Sequence, residues 1–213
     1  MEEHDDALER MRSLNSSNQK FYMNVDAFAE KMGMKSKDIV GLYLYGSRLW
    51  GTANAQSDYD FLVVVKSADK PCATRHAGNI DCLAMTQAEF EKRLQAHSFL
   101  CVMCVLYLAP EWVWKRFVPK KKFALDLKRF EASVREEVER DWKVATKKRD
   151  KGMGDAANKV QIHAIRMLRI LKQIKDGNEA PSLTCAMDLW RFCKEDYTGQ
   201  ASQAHLEACK HEM

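Results

Sequence analysis

The sequence predicts an α+β protein in which a small sheet-and-helix N-terminal half is followed by an all-helical C-terminal half. Short apolar runs bounded by glycine or polar residues, the pattern expected of strands, occur before residue 115. After Pro119 the strand pattern fades, and long stretches with helical periodicity follow. We therefore expect one domain at 1–115 and a second at 116–213, with the boundary near 110–122.

Three strands are predicted in the N-terminal half. They cover Ile39–Tyr45, Phe61–Lys66 and Ile80–Met85, and the polar stretch 67–78 is interpreted as a hairpin-type connection. Helices are expected at 5–13, at 22–32 and, after the capping-box pattern that starts at Thr86, at 87–96.

Two long helices are predicted in the C-terminal half, at Phe123–Asp150 and Asp155–Asp176. Asp155 is a candidate N-cap of the second helix, and Gly177 is a candidate stop signal after it. Shorter helices are expected at 183–195 and 202–211.

Composition indicates a soluble protein of the cell interior. The chain has 213 residues, 46% hydrophobic and 30% charged, which is typical of a globular protein. Among its seven cysteines, Cys101 and Cys104 form a CxxC inside an apolar run with no second ligand pair, so buried reduced thiols are favoured over a zinc site. The acidic N-terminus lacks signal-peptide features, and the same apolar run is too short to span a bilayer. We expect a cytoplasmic protein without a membrane or an obligate protein partner.

The net charge of +4 is unevenly distributed. Segment 115–151 contains 14 Lys and Arg against 7 Asp and Glu, with clusters at 120–122 and 147–149. Two interpretations remain open for this segment. It forms ordinary solvated helix faces, or it forms a surface for a phosphate-rich partner such as RNA.

The first two strands frame a candidate site. Gly46-Ser47 follows the first strand, and its glycine turn could open a helix whose free N–H groups favour an anion. Asp58 and Asp60 stand at the start of the second strand. Because residues i and i+2 of a strand share a face, both carboxylates can converge while Tyr59 points away. Carboxylates together with substrate phosphates are ligands that Mg²⁺ prefers, which indicates phosphoryl or nucleotidyl transfer.

Asp81, on the third predicted strand, is a third candidate carboxylate. An antiparallel neighbour of the Asp58/Asp60 strand would place Asp81 beside that pair. Three gathered carboxylates would repel one another, so a divalent cation is the natural way to keep them charged. In a two-metal arrangement, Asp58 and Asp60 would bind both ions, whereas Asp81 would bind the acceptor-side ion and help to deprotonate the acceptor.

The segment from Tyr45 to Ala53, followed by Ser57-Asp58-Tyr59-Asp60-Phe61, resembles the signature of the DNA polymerase β-like nucleotidyltransferase superfamily. Within that superfamily it is most similar to the YcgL/RlaP predicted nucleotidyltransferases, which are associated with RNA repair. The resemblance implies a minimal nucleotidyltransferase fold that uses NTP, with ATP as one candidate, and Mg²⁺ or Mn²⁺. By position, Gly46 and Ser47, with Arg48 beside them, match the nucleotide-binding turn, and Asp58, Asp60 and Asp81 match the metal carboxylates.

A basic stripe on the second long helix is the remaining candidate. At about 100° per residue, Lys159, His163 and Arg166 fall on one side of the helix, beside its apolar arc. Lys159 and Arg166 could clamp the β- and γ-phosphates, and His163 could donate to a phosphate oxygen or orient a neighbour. The same spacing resembles the C-terminal half of the YcgL/RlaP proteins. For His163 the alternative is a histidine at the edge of the core.

These patterns predict a magnesium-dependent nucleotidyltransferase that moves an NMP from an NTP to a hydroxyl and releases pyrophosphate. An RNA end, of tRNA or another RNA, is one candidate acceptor. A protein side chain or a small molecule is the alternative acceptor. From another class, a non-catalytic nucleotide- or RNA-binding module also remains open.

Overall fold

The computed structural model describes residues 24–68, 70–195 and 200–211, so the helix predicted at 5–13 lies outside the described residues. The first described helix, α1 (Val25–Lys31), falls within the predicted range 22–32. It begins after Asn24, whose side-chain oxygen accepts a hydrogen bond from the Ala27 N–H, as an N-cap does.

Within the described residues, the strands form one mixed five-stranded sheet with the order β3-β4-β2-β1-β5. The strands are β1 (Ile39–Tyr45), β2 (Tyr59–Val65), β3 (Cys72–Ala77), β4 (Ile80–Thr86) and β5 (Val113–Lys115). The three predicted strands are confirmed, whereas β3 and β5 were not predicted. The polar stretch 67–78 contains an edge strand that sequence pattern alone does not distinguish from a loop, because several of its side chains are exposed.

The pairing of β4 with β2 differs from the prediction in direction. The two strands are parallel, with Asp60 opposite Asp81, whereas an antiparallel pair was expected. The reason is the intervening strand β3. The chain crosses to the edge of the sheet, runs back along β3, and turns at Gly78 and Asn79 into β4. The predicted proximity of Asp81 to Asp60 is nevertheless obtained, because directly opposed residues share a face.

The other long elements within the described residues are helices. Those before the long pair are α2 (Gly46–Leu49), α3 (Gln87–Gln95) and α4 (Phe99–Val102), and α4 continues into a π-helical turn at Met103–Tyr107. The C-terminal region contains α5 (Leu127–Asp150), α6 (Gly154–Lys175), α7 (Met187–Glu195) and α8 (Gln200–His211). The fold is therefore α+β with a C-terminal helical region, as predicted.

The ends of the long helices differ in detail from the prediction. Helix α5 begins at Leu127 rather than at 123, because Asp126 caps it by accepting from the N–H groups of Lys128 and Arg129. Asp155 is not the N-cap of α6. It lies in the first turn, where its charge still favours the helix dipole. Gly177, with φ of 86°, follows the C-cap as predicted.

The sheet carries a hydrophobic core on each face. On one face, α1 packs against alternate side chains of β1, β2 and β4, including Phe61 and Val63. On the other face, Leu62 and Val64 belong to a core that includes side chains of α3, α5, α6 and α7. This second core is continuous across residue 115, and the division into 1–115 and 116–213 stays a prediction.

The buried cysteine pair agrees with the sequence-based prediction. Cys101 and Cys104 are free thiols in the core beside the helical region. Burial raises the pKa of both, that of Cys101 to about 12, so both stay protonated at neutral pH. No helix within the described ranges is both long enough and apolar enough to cross a bilayer.

Candidate active site

A cavity of about 510 Å³ lies between the sheet and the helical region. Its sheet side includes Ser47 of α2 together with Asp58 and Asp60 at the start of β2. Its helical side includes the basic residues Lys159 and Arg166. We call this space the nucleotide cavity, after the ligand that we propose for it. Together with His163, which also lines it, the cavity brings together six residues that were predicted from separate parts of the sequence.

The turn at Gly46 is fitted to the carboxylate of Asp60. Gly46 has φ of 73°, a conformation that favours glycine, and a β-carbon there would collide with the Asp60 side chain. The main-chain N–H of Ser47 donates a hydrogen bond to the same carboxylate. The turn therefore holds Asp60 in place, and the N–H of Ser47 is already engaged.

Asp60 and Asp58 face the helical region, as the alternation of a strand requires. Tyr59 and Phe61 are buried in the core on the α1 face, whereas Leu62 and Val64 pack on the opposite face. Asp58 is exposed and Asp60 is partly buried. Burial, followed by the charges of Asp81 and Asp58, raises the pKa of Asp60 to about 6.

Asp81 lies beside Asp60 but is engaged by a different partner. Its Oδ1 is 2.6 Å from Nδ1 of His76, which stands opposite it on β3. Tyr45, Asp60, Asp81 and His76 thus form a row across β1, β2, β4 and β3. The sequence analysis did not select Tyr45 or His76, because neither role is visible without the strand register.

The three carboxylates fit a divalent cation by their chemistry but do not form a preassembled cage. Their oxygens are the hard ligands that Mg²⁺ prefers. Burial, followed by the charges of Asp81 and Asp58, raises the pKa of Asp60, and a bound cation would favour its charged form again. However, across the described ranges no group of three or more Asp, Glu, His or Cys residues is arranged to hold a metal. Asp58 and Asp60 fit as a cation-binding pair, and Asp81 would join them through Oδ2, the oxygen that does not contact His76.

Arg48 has a different position from that expected of a nucleotide ligand. Its guanidinium donates to the main-chain carbonyls of Ser57 at 2.6 Å and Asp58 at 3.3 Å, and it lies 3.8 Å from the centre of the Tyr59 ring. The side chain is buried, with 8% exposure. Arg48 therefore holds the loop that precedes β2 against α2. These contacts fix the position of the main chain at Asp58.

Arg166 is a buried cation with an unsatisfied donor. It is 3% exposed, it lies over the Trp50 ring at 5.0 Å, and its Nε has no hydrogen-bond partner among the described residues. Burial lowers its pKa to about 10, so it remains charged at neutral pH. An unpaired buried guanidinium on a cavity wall favours an anionic ligand.

His163 lies between Trp50 and Phe99, with ring centroids at 5.8 and 6.4 Å. Burial, together with the charge of Arg166, lowers its pKa to about 4, so the imidazole is neutral at physiological pH. It can donate one hydrogen bond to a phosphate oxygen, but it adds no positive charge to the cavity.

Among the cavity residues that were not predicted, Trp50, Trp190 and Lys194 have aromatic or charged side chains. Trp50 lies within the nucleotidyltransferase-like motif but was given no role, and its ring contacts the Arg166 guanidinium at 5.0 Å. Trp190 and Lys194, on α7, complete the helical wall. The Trp190 ring has the ammonium groups of Lys159 at 5.8 Å and Lys194 at 5.2 Å. No feature of the α7 sequence distinguishes these residues from an ordinary amphipathic helix.

A protein-family model matches the part of the chain that contains the sheet. No curated protein matches the chain. A nucleotidyltransferase-like protein from Exiguobacterium sibiricum shares 11% identity with this chain at a TM-score of 0.32, over 93% of this chain and 73% of that one. The model of the nucleotidyltransferase domain family matches residues 25–163, which include the sheet, the carboxylates and the start of α6. The chain belongs to the nucleotidyltransferase domain family.

Proposed function

We propose that this protein transfers a nucleoside monophosphate from an NTP to a hydroxyl acceptor and releases pyrophosphate. The observation that carries the proposal is the opposition of charges across the nucleotide cavity. Asp58 and Asp60 stand on the sheet side, and the basic residues Lys159, Arg166 and Lys194 stand on the helical side. An NTP with its divalent cation would satisfy both walls at once.

Asp58 and Asp60 would hold the cation together with the phosphates of the NTP. When bound, Mg²⁺ or Mn²⁺ would neutralise phosphate charge and activate the acceptor hydroxyl. A second ion would need Asp81, which would contribute Oδ2 while Oδ1 stays with His76. Since the N–H of Ser47 is engaged by Asp60, the expected phosphate contact of this turn would come from the Ser47 hydroxyl.

We call Lys159, Arg166 and Lys194 the basic wall of the cavity. In the proposed reaction this wall would bind the leaving pyrophosphate. In the reaction, the acceptor oxygen forms a bond to the α-phosphorus, and the bond from that phosphorus to the oxygen bridging to the β-phosphate breaks. The pyrophosphate leaves with the bonding electrons, and the acceptor proton passes to a carboxylate or to water. Lys159, Arg166 and Lys194 would stabilise the negative charge that develops on the pyrophosphate.

An RNA end remains one candidate acceptor, in keeping with the resemblance to the YcgL/RlaP proteins. The basic segment 115–151 supports it less than its composition implies. Arg116, Arg129 and Arg149 donate hydrogen bonds within the fold rather than facing a partner. The exposed cluster 120–122 precedes α5. The cluster 147–149 lies in its last turn, where Lys147 is exposed and Lys148 and Arg149 are partly buried. Helix α5 is about 36 Å long at ~1.5 Å per residue. RNA would have to run along this helix to contact both.

The direct test is transfer of label from each α-labelled NTP to a mixture of RNA, protein and small metabolites in the presence of Mg²⁺. The double variant D58N/D60N should reduce labelling at least ~100-fold, because the cation loses both charged ligands. Chelation of divalent cations should have the same effect on the unmodified protein.

The matched control is D150N/D176N, which removes two exposed carboxylates at helix ends outside the nucleotide cavity. It should label acceptors at the normal rate. Undiminished labelling by D58N/D60N would contradict the proposed role of these two carboxylates in nucleotidyl transfer. Tight NTP binding without divalent cation and without any transfer would favour the non-catalytic binding module.

A further inference from the structure

A second cavity, of about 560 Å³, shares Trp50 and His163 with the nucleotide cavity. Its other walls come from Tyr45 at the end of β1, from the start of α4 and from the middle of α5. We call it the α5 cavity. Its volume falls within the range typical of sites for small molecules, about 300–1,000 Å³. Neither the sequence analysis nor the family match assigns it a role.

Tyr45 connects the α5 cavity to the catalytic carboxylates. It is the register partner of Asp60 on β1, so the two side chains share a face of the sheet. Its hydroxyl is close enough to Asp60 and Asp81 that their charges add to burial in raising its pKa. A molecule in the α5 cavity would therefore lie beside the carboxylates, on the far side of Trp50 and His163 from the basic wall.

That arrangement matches the requirement of the proposed reaction. In phosphoryl and nucleotidyl transfer, the attacking and leaving oxygens are roughly in line, on opposite sides of the phosphorus. The basic wall of the nucleotide cavity supplies the place for the leaving pyrophosphate. The acceptor must then approach from a different direction, and the α5 cavity supplies a separate space next to the same carboxylates.

The charges that line the α5 cavity indicate the kind of acceptor. Arg93 is already paired, since its Nε lies 2.6 Å from Oε1 of Glu89. Arg140 is 4.0 Å from Glu137, whose other oxygen accepts from the N–H of Phe99. Asp141 has no hydrogen bond or ion pair among the described residues, and burial raises its pKa. The formal charges of the lining therefore cancel, and the carboxylate left without a hydrogen bond or ion pair among the described residues is that of Asp141.

We propose that the α5 cavity is the acceptor site and that its ligand is a small compound bearing a hydroxyl group and a protonated amine, with Asp141 binding the amine. This inference rests on the proposed nucleotidyl transfer for the identity of the reaction, but not for the binding. A lone carboxylate in a partly buried wall repels a phosphate backbone and attracts an ammonium group. The aromatic rings of Trp50 and Phe99 provide apolar walls for the carbon skeleton of such a compound.

Binding is tested by thermal stabilisation of the full chain at pH 7 with matched probes. Glucosamine and serinol carry the amine, glucose and glycerol are their neutral analogues, and glucose 6-phosphate is the anionic analogue. We expect stabilisation by the amines, at least tenfold weaker half-saturation for the neutral analogues, and none by the phosphate. D141N should weaken the binding of the amines about tenfold, because it keeps the shape and removes the charge.

The control for this variant is D150N, an exposed aspartate on the same helix, which should bind the amines normally. Equal stabilisation by all probes, no stabilisation by either amine, or an unchanged response of D141N would overturn the assignment. Label transfer to an RNA end that is insensitive to D141N would also overturn it. Because stabilisation is measured without NTP, a failure of nucleotidyl transfer shows only in the labelling assay, and the two proposals fail independently.

Discussion

Gly46 illustrates how a single residue positions the site. From the sequence, Gly46 was predicted to belong to a phosphate-binding turn. The structure adds a more specific requirement, since the absence of a side chain at Gly46 leaves room for the Asp60 carboxylate. The glycine of this motif is therefore tied to the carboxylate of the next strand, 14 positions later in the sequence.

The variant G46A should lower the turnover number about 100-fold, because its β-carbon would displace Asp60 by a distance that catalysis does not tolerate. Steady-state label transfer measures this loss. The matched control is G152A. Gly152 has nearly the same φ, 74°, but a β-carbon there meets no atom within 4 Å. Both variants should lose about 1 kcal/mol of stability from backbone strain, and only G46A should lose activity. Equal activity in the two variants would contradict the positioning role.

At the scale of elements, α6 and α7 build the basic wall together. The helical spacing of Lys159, His163 and Arg166 was sufficient to predict that these side chains lie together on one side of α6. It was not sufficient to predict Lys194, because α7 reaches the cavity only through packing against α6. Arg169 of α6 holds this arrangement by pairing with Asp188 of α7 at 2.7 Å. The wall is therefore a property of two helices rather than of one motif.

Replacing Lys194 by Met should raise the KM for NTP about three- to tenfold while changing the turnover number little. The substitution keeps the apolar stem and removes an ammonium group that lines the nucleotide cavity. Steady-state kinetics with varied NTP measure it. K172M is the control, since Lys172 is an exposed lysine of α6 outside that cavity. A normal KM in K194M would exclude α7 from nucleotide binding.

For the whole molecule, the continuous core links the sheet to the helical region, so local charges affect the stability of the entire fold. Side chains from β1, β2, α5 and α6 belong to one hydrophobic cluster. A chain of this kind is expected to unfold in a single transition. The titration of one group in the site should then appear in the free energy of unfolding of the whole protein.

Without divalent cation, Asp60 should make the protein less stable as pH rises from about 4 to about 6. Its pKa is about 6 in the folded state and near 4 when unfolded, so the folded state binds more protons in that interval. The effect should be about 1 kcal/mol after allowance for partial solvent contact. D60N should abolish this difference, so that above pH 6 it is more stable than the unmodified protein. Denaturant unfolding at several pH values measures it.

The control D150N should retain the pH dependence of the unmodified protein. Mg²⁺ added at pH 7 should stabilise the unmodified protein more than D60N, because a cation relieves the repulsion that the variant has already removed. If the free energy of unfolding of D60N and of the unmodified protein changed with pH in the same way, the pKa of Asp60 would not be raised in the folded state. The predicted destabilisation by its charge would then be wrong.

The sequence by itself determined the fold class, the three principal strands, the long helices and the family. These features depend on local periodicity and on residues within about 20 positions of one another, which a single chain displays directly. It also determined that Asp58 and Asp60 share a face, because strand alternation fixes that relation. Asp81 was correctly predicted to lie beside Asp60. The prediction of an antiparallel pairing between their strands was wrong, because the strands are parallel.

Only the tertiary structure decided the rest. It showed that β4 is parallel to β2, that His76 engages Asp81, that Arg48 holds a loop, and that Trp50, Trp190 and Lys194 line the cavity. The physical reason is the same in each case. Each relation joins segments that are brought together by burial of the common core, and the free energy of that burial depends on apolar area rather than on the polar side chains that it carries into contact.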